Sequence, residues 1–200
     1  MLKILNTVFL VAISIALSLA CSGLKNQPLV KISSELGDII IALDQEHAPV
    51  TCANFLKYVD EQRFDSASFY RVVRMDNQPN NDIKIEVIQG GLGFDENSNR
   101  LPSIDHETTA QSGILHKHGT ISMARAEPGT AASEIFICIN DQTELDFGGK
   151  RNPDGQGFAA FGQVIDGMQV VKEIQQLPVD GQMLKKPIRF NITRFNKKKK

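Results

Sequence analysis

Short β-type runs separated by turn-forming residues dominate this chain, and they constrain its fold more than any other feature. Eight runs are rich in residues that favour strands, namely 29–32, 39–43, 68–73, 84–91, 119–123, 135–139, 158–165 and 188–195. Only two stretches, 49–59 and 170–177, carry the apolar spacing of an amphipathic helix. Because helices do not alternate with the strands, the pattern predicts a mainly β fold, either a closed antiparallel barrel or a sandwich. The two helices could cap the two ends of a barrel.

A single cation, Arg71, interrupts the strand-like run 68–73 (SFYRVV). Strict alternation along a strand predicts that Phe69, Arg71 and Val73 share one face. The strand alone leaves two interpretations open. Arg71 could lie near a strand end, with its stem on apolar surface and its guanidinium in water. Alternatively, it could stand at the rim of an apolar pocket and donate hydrogen bonds to a ligand.

The charge balance gives no indication of a nucleic-acid partner. The 200 residues carry a formal net charge of −1, and 42% of them are hydrophobic, which is ordinary for one globular domain. The basic run 197–200 is expected to be a solvated tail. His106, His116 and His118 do not follow a recognised metal-ligand spacing, so we expect no metal and no other cofactor.

The N-terminus has the layout of a secretory signal peptide. Lys3 precedes a mostly apolar run that ends in small residues at Ala20, which predicts a signal peptide over 1–20. The next residue, Cys21, resembles the lipid-modified cysteine of bacterial lipoproteins. Residues 21–28 would then be a tether. We therefore expect an exported protein of the bacterial cell envelope, periplasmic and anchored through a lipid on Cys21, with a soluble exported form as the alternative.

Two further cysteines, Cys52 and Cys138, fall on apparent core faces of a helix and a strand. There is no Cys-x-x-Cys pair and no cysteine–histidine ligand spacing. Since free cysteine is among the most buried residue types, we expect two buried thiols rather than a disulfide.

Six ordered blocks of residues resemble one known family. The blocks are 48–56 (APVTCANFL), 69–73 (FYRVV), 88–91 (IQGG), 119–124 (GTISMA), 136–137 (FI) and 161–168 (FGQVIDGM). In this order they resemble the cyclophilins, the peptidyl-prolyl cis-trans isomerases. The resemblance implies a cyclophilin-like closed eight-stranded antiparallel β-barrel over residues 29–196, capped by two α-helices. It also implies an outer groove for proline-containing peptide segments, and we expect a barrel of this size to be a monomer.

The residue types suit the chemistry that the resemblance implies. Rotation about an X–Pro bond breaks no bond, so it needs no nucleophile, but amide resonance opposes it with a barrier of about 18–20 kcal/mol. The resemblance places the catalytic guanidinium on Arg71 and the orienting amide on Gln89. It also places substrate-binding residues at Val87, Ala124, Arg125, Glu134, Phe136, Leu145 and Phe158. Among these, Phe136 would form the floor of a proline pocket, with Leu145 and Phe158 near its wall.

Three acidic residues depart from the family pattern. Glu86 stands where an aromatic residue is common, Glu134 where a glutamine is usual and Glu144 where a tryptophan is frequent. These changes predict a smaller, more acidic pocket, a preference for basic residues beside the proline and weak binding of cyclosporin. The loop 75–83 is longer than in typical members and is expected to cover one end of the groove.

The leading functional prediction is a peptidyl-prolyl cis-trans isomerase that assists the folding of exported proteins. The alternative is a cyclophilin-like module that binds proline peptides, or acts as a chaperone, without turnover. A hydrolase is disfavoured because no Gly-x-Ser-x-Gly motif occurs and the spacing supports no Ser–His–Asp set.

Overall fold

A computed structural model describes residues 27–93 and 96–196. The predicted signal peptide, Cys21 and the basic tail lie outside the described residues, as does most of the predicted tether. Within the described ranges, no helix is long and apolar enough to cross a membrane.

The described chain forms nine strands and three helices. The strands are β1 (Leu29–Ser34), β2 (Gly37–Leu43), β3 (Ser68–Val73), β4 (Val87–Gly91), β5 (Thr120–Met123), β6 (Ile135–Cys138), β7 (Ala159–Asp166), β8 (Val179–Asp180) and β9 (Met183–Arg194). The helices are α1 (Pro49–Asp60), α2 (Thr109–Ser112) and α3 (Met168–Gln175), and a 3₁₀ turn covers Thr143–Leu145.

Eight of the strands close into an antiparallel barrel. Their order around the ring is β1, β2, β7, β5, β6, β4, β3 and β9, and β9 returns to pair with β1. The closing register sets Val30 opposite Arg194 and Ile32 opposite Ile192. The two-residue β8 pairs with β9. The closed eight-stranded antiparallel barrel predicted from the sequence is therefore confirmed.

The helix α2 lies inside a segment, 92–118, that the sequence predicts to be a loop. Its four residues are too few to show a helical repeat. A capping box begins it, because the Thr108 and Gln111 side chains each bond the other residue's backbone N–H.

The strand β9 begins at Met183, five residues before the predicted run 188–195. The first half of the strand is too polar to be predicted as a buried strand.

A chain of aromatic rings joins α1 to the barrel interior. The ring of Phe55 on α1 lies 5.2 Å from Phe161 and 5.6 Å from Phe64. Phe64 is 6.4 Å from Phe190, which is 4.6 Å from Phe69. Such pairs add to the stabilisation that apolar burial already provides. Apolar residues of α3, with Val171 and Ile174 fully buried, pack on the same core.

Cys52 and Cys138 are both fully buried and are not joined by a disulfide. Burial raises the pKa of the Cys52 thiol to about 12, and it raises the pKa of Cys138 as well. Two buried thiols are what the sequence predicts.

A β-bulge in β3 overturns the strict alternation predicted for that strand. Phe69 pairs with Gly90 and Arg71 pairs with the next residue, Gln89, so Tyr70 is an extra residue. Phe69 and Val72 consequently belong to the interior core, whereas Val73 packs in a separate apolar cluster on the outer surface. The prediction that Phe69 shares a face with Arg71 and Val73 is therefore wrong.

Replacing Phe64 by alanine is expected to lower the free energy of unfolding by about 3–5 kcal/mol, because it empties a fully buried ring site with little room to collapse. Urea unfolding followed by circular dichroism measures the loss. The matched control is Phe147→Ala, since Phe147 is 49% exposed; its cost should stay within about 0.5 kcal/mol. Equal losses in the two variants would contradict the role assigned to the aromatic chain.

Candidate functional site

An apolar pocket of about 250 Å³ opens on the outer face of the barrel. Its apolar lining consists of Ile85, Val87, Ala124, Phe136, Leu145 and Phe158. The neighbouring strands β4 and β6 present Val87 and Phe136 on this face, opposite to the side chains that fill the barrel. The rings of Phe136 and Phe158 lie 5.3 Å apart and almost perpendicular, so one forms a floor and the other a wall. The pocket brings together the apolar residues that the sequence predicts for it.

The guanidinium of Arg71 stands at this pocket and is held by two amides. Its Nη1 donates to Gln89 Oε1 at 2.6 Å, and its Nη2 and Nε donate to Gln182 Oε1 at 2.6 and 3.0 Å. Burial lowers the pKa of Arg71, but an arginine still stays charged at physiological pH. No carboxylate of the described residues forms an ion pair with it. The pocket-rim interpretation of Arg71 thus fits this geometry, and the water-exposed one does not.

Gln182 carries no signal in the sequence. It lies in the turn between β8 and β9, 111 positions from Arg71. Only the pairing of β3 with β9 brings the two residues together, at a register where Arg71 faces Met183.

A hydrogen-bonded chain continues from Gln89 to Glu134. Gln89 Nε2 donates to the Tyr70 hydroxyl at 3.1 Å, and that hydroxyl donates to Glu134 Oε2 at 2.5 Å. Glu134 also accepts from Ser133 Oγ and from the backbone N–H of Gly93. Burial raises the pKa of Glu134, because the charged form loses solvation, although its donors oppose the shift.

Glu134 lines a second cavity that adjoins the apolar pocket and measures about 360 Å³. The two share Gln89, Ala124 and Arg125, so together they form one groove. Arg100 also lines the second cavity and lies 3.9 Å from Glu134. The backbone N–H of Ala124 already donates to the Glu134 carbonyl. Any pairing of this segment with a peptide would therefore use its other backbone groups.

The side chain of Arg125 is fully buried and secures the pocket wall. It makes a two-pronged ion pair with Asp154 at 2.7 and 2.9 Å, which holds the pKa of that carboxyl at about 2. It also donates to the Gly157 carbonyl and lies 5.2 Å from the centre of the Phe158 ring. The guanidinium of Arg125 is thus occupied by Asp154 and Gly157 of the loop that precedes β7.

Of the three acidic residues expected in the groove, Glu134 lines the adjoining cavity, whereas Glu86 and Glu144 do not line either cavity. Glu86 accepts from the Asn140 side chain and Glu144 from the backbone N–H of Lys150, and neither residue lines the groove. The proline-sized pocket instead contains Arg151 and Asn152, which the sequence did not indicate. No residue of the loop 75–83 lines the pocket or the adjoining cavity, but its last residue, Ile83, accepts a hydrogen bond from Arg151 of the pocket lining, so the loop borders one end of the groove.

A Ser–His–Asp arrangement that the spacing did not reveal lies beneath the pocket floor. His116 Nδ1 is 2.7 Å from Asp146 Oδ1, and its Nε2 is 2.9 Å from Ser122 Oγ. The side chains of His116 and Ser122 are completely buried, and the His116 ring stacks against Phe136 at 5.8 Å. Because no substrate can reach the hydroxyl, this set supports Phe136 and does not act as a nucleophile.

The comparisons with known proteins agree with this geometry. Residues 29–196 match the family model described as cyclophilin type peptidyl-prolyl cis-trans isomerase/CLD. Peptidyl-prolyl cis-trans isomerase A of Dickeya dadantii is 34% identical over 155 residues, covering 76% of this chain and 73% of that protein. A peptidyl-prolyl cis-trans isomerase of Acinetobacter baylyi is 33% identical over 152 residues, covering 75% and 73%.

A solved structure shares the fold. It is the cyclophilin type peptidyl-prolyl cis-trans isomerase of Cryptosporidium parvum, determined in the presence of the dipeptide Ala-Pro. It superposes with a TM-score of 0.66 at 21% identity, over 84% of this chain and 99% of that one. The barrel, the ordered sequence blocks and the match over residues 29–196 lead to one conclusion: this chain belongs to the family of cyclophilin-type peptidyl-prolyl cis-trans isomerases.

Proposed function

We propose that this protein catalyses cis-trans isomerisation of X–Pro bonds in peptide segments bound along the groove. The observation that carries the proposal is a charged guanidinium at the edge of an apolar pocket of about 250 Å³, held by two amides and without a carboxylate partner among residues 27–93 and 96–196. An apolar pocket suits a pyrrolidine ring, and a fixed donor beside it suits the nitrogen of that ring.

The mechanism requires that the site bind the twisted amide more tightly than either planar form. As the C–N bond rotates, resonance is lost and the prolyl nitrogen regains a lone pair. Arg71 then donates a hydrogen bond to that nitrogen. Because the planar amide nitrogen is a poor acceptor, this bond strengthens only in the transition state and lowers the barrier.

Gln89 and Gln182 hold the Arg71 guanidinium from two sides. Both accept through neutral amide oxygens, so they orient the cation without cancelling its charge. Gln89 lies between the pocket and the adjoining cavity and is placed to bond the substrate backbone as well. Phe136, Val87, Leu145 and Phe158 receive the proline ring, while Ala124, Arg125 and Glu134 border the path of the neighbouring residues.

The binding-module alternative drew its support from acidic residues in the pocket. Two of those residues, Glu86 and Glu144, accept hydrogen bonds from other parts of the chain and do not line the groove. Catalysis is therefore the function that the geometry supports best.

Replacing Arg71 by alanine should lower kcat/KM by about 100-fold, the usual loss when one pre-organised donor is removed from a transition state. A protease-coupled isomerisation assay on short proline peptides measures the effect. Arg71→Lys should recover only part of the rate, because it keeps the charge but loses the rigid fork of donors.

The matched control is Arg189→Ala, since Arg189 is exposed and lies outside the groove. It should retain the parental rate. If the parent protein binds proline peptides but does not accelerate exchange, the alternative binding module is correct and the isomerase proposal fails.

Replacing Gln182 by alanine should lower kcat about tenfold while changing KM less than twofold, because Gln182 positions Arg71 and does not line the pocket. Steady-state kinetics on one peptide separates the two constants. Gln176→Ala, on an exposed glutamine at the end of α3, is the control and should change neither. A rise in KM with unchanged kcat would show that Gln182 contributes to binding instead.

We also propose that the protein works as a monomer in the bacterial cell envelope, on exported client proteins, and is anchored by a lipid on Cys21. The layout of residues 1–21 supports this proposal. Stable membrane anchoring generally needs at least two signals, such as two acyl chains. A diacylated cysteine carries two acyl chains on one residue.

Replacing Cys21 by serine should abolish incorporation of a labelled fatty acid and release the protein from the membrane fraction of expressing bacteria. Labelling followed by fractionation makes the measurement. Ser22→Ala, which leaves Cys21 in place, should stay labelled. Recovery of unlabelled parent protein in the soluble fraction would support the soluble exported form.

A further inference from the structure

A second cation, Arg151, enters the pocket that we assign to proline. It lies on the loop 146–158 and lines the pocket together with Arg71, Asn152 and Phe158. Its Nη1 donates to the Ile83 carbonyl at 2.6 Å, and its own backbone N–H donates to the Glu144 carbonyl. The backbone bond holds Arg151 against the 3₁₀ turn, and the side-chain bond joins its guanidinium to the end of the loop 75–83.

The Arg151 guanidinium keeps donors available for a ligand. Its Nε and Nη2 have no hydrogen-bond partner among the described residues, and no described carboxylate pairs with it. Arg125 offers the contrast within the same pocket, because Asp154 neutralises it. Of the three cations that line this pocket, two are therefore uncompensated.

The two uncompensated cations repel each other. Burial lowers the pKa of Arg151 first, and the nearby charge of Arg71 lowers it further. Two like charges on a partly desolvated surface raise the free energy of the empty site, and an anion that binds between or beside them removes that cost. The apolar walls strengthen the attraction, since they keep solvent screening low.

We propose that Arg151 makes the groove select peptide segments that carry a carboxylate within one residue of the proline. This inference rests on the proposed isomerase function and gives it a substrate preference. The sequence predicts the opposite preference, for basic residues beside the proline. Adjacent residues of an extended peptide are about 3.3–3.6 Å apart, so a carboxylate next to a seated proline lies within reach of the pocket rim.

The carboxylate could come from an aspartate or glutamate side chain or from the free C-terminus of a peptide. Both offer two oxygens to a planar guanidinium, so the same donors recognise them. Peptides that carry either carboxylate separate these two sources.

The test measures kcat/KM by two-dimensional NMR exchange, which needs no coupling protease and so allows any residue on either side of the proline. The peptides are acetyl-Ala-Xaa-Pro-Ala-amide and acetyl-Ala-Ala-Pro-Xaa-amide, with glutamate, glutamine or lysine as Xaa. A further pair, acetyl-Ala-Ala-Pro-Ala with a free or an amidated C-terminus, tests the terminal carboxylate.

The parent protein should favour glutamate over lysine about five- to tenfold in at least one of the two positions, in the range of a charge-assisted contact at a partly buried site. Raising the salt from about 20 mM to about 500 mM should reduce the ratio by screening. Arg151→Gln should bring the ratio below about twofold, and Arg151→Lys should keep part of it. A purely structural role of Arg151 would slow all peptides alike and leave the ratio intact.

The charge-matched control is Arg189→Gln, which removes one exposed cation outside the groove and should leave the ratio unchanged. Equal rates for glutamate and lysine peptides, or a ratio that survives Arg151→Gln, would overturn the inference while the isomerase function stood. Failure of the parent protein to accelerate even the glutamine peptides would instead overturn the function itself.

Discussion

The close approach of β3 and β4 is the constraint on which the site depends. At Gly90 a Cβ atom would lie 2.5 Å from the Ser68 carbonyl oxygen and 2.9 Å from the Phe69 Cα, so only glycine fits there. Immediately beyond this contact β3 carries its extra residue, and two successive side chains, Tyr70 and Arg71, leave the core together. A regular strand would have sent one of them into the barrel. The bulge thus gives the outer surface a phenol and a guanidinium side by side, while Phe69 and Val72 continue the interior packing.

The chemistry of the site follows from the partners that these two side chains meet. Arg71 is held by amide oxygens, which leave its charge available. Tyr70 links Gln89 to Glu134, so the carboxylate that lines the adjoining cavity is bonded to the phenol of Tyr70. Two further acidic residues of the region are held by other side chains, Glu86 by Asn140 and Asp154 by Arg125. The apolar pocket consequently has a positive character, although the whole chain has a net charge of −1.

Much of this architecture could be predicted from the sequence. The features that could not be predicted have physical causes. Strand-forming runs and two amphipathic stripes indicate the barrel, and ordered blocks place Arg71, Gln89 and Phe136 on one groove. The bulge could not be foreseen, because every residue of 68–73 except Arg71 fits a regular strand equally well. Gln182 and Arg151 reach the site from loops whose position only the closed barrel determines. Glu86 and Glu144 were wrongly expected to line the groove, because matching a family position does not determine which neighbours a side chain bonds.

The pairing of β1 with β9 has a consequence for how the protein comes into existence. The ring closes through partners near the two ends of the domain, such as Val30 and Arg194, and the amide that holds Arg71 comes from position 182. A chain that emerges from the ribosome or from an export channel cannot complete either contact until almost all of it has appeared. Pairings between such distant segments are also the slowest to form. The nascent chain therefore passes through a period with open strand edges and no complete site, in which it is exposed to the same risk of aggregation as the clients it is proposed to serve.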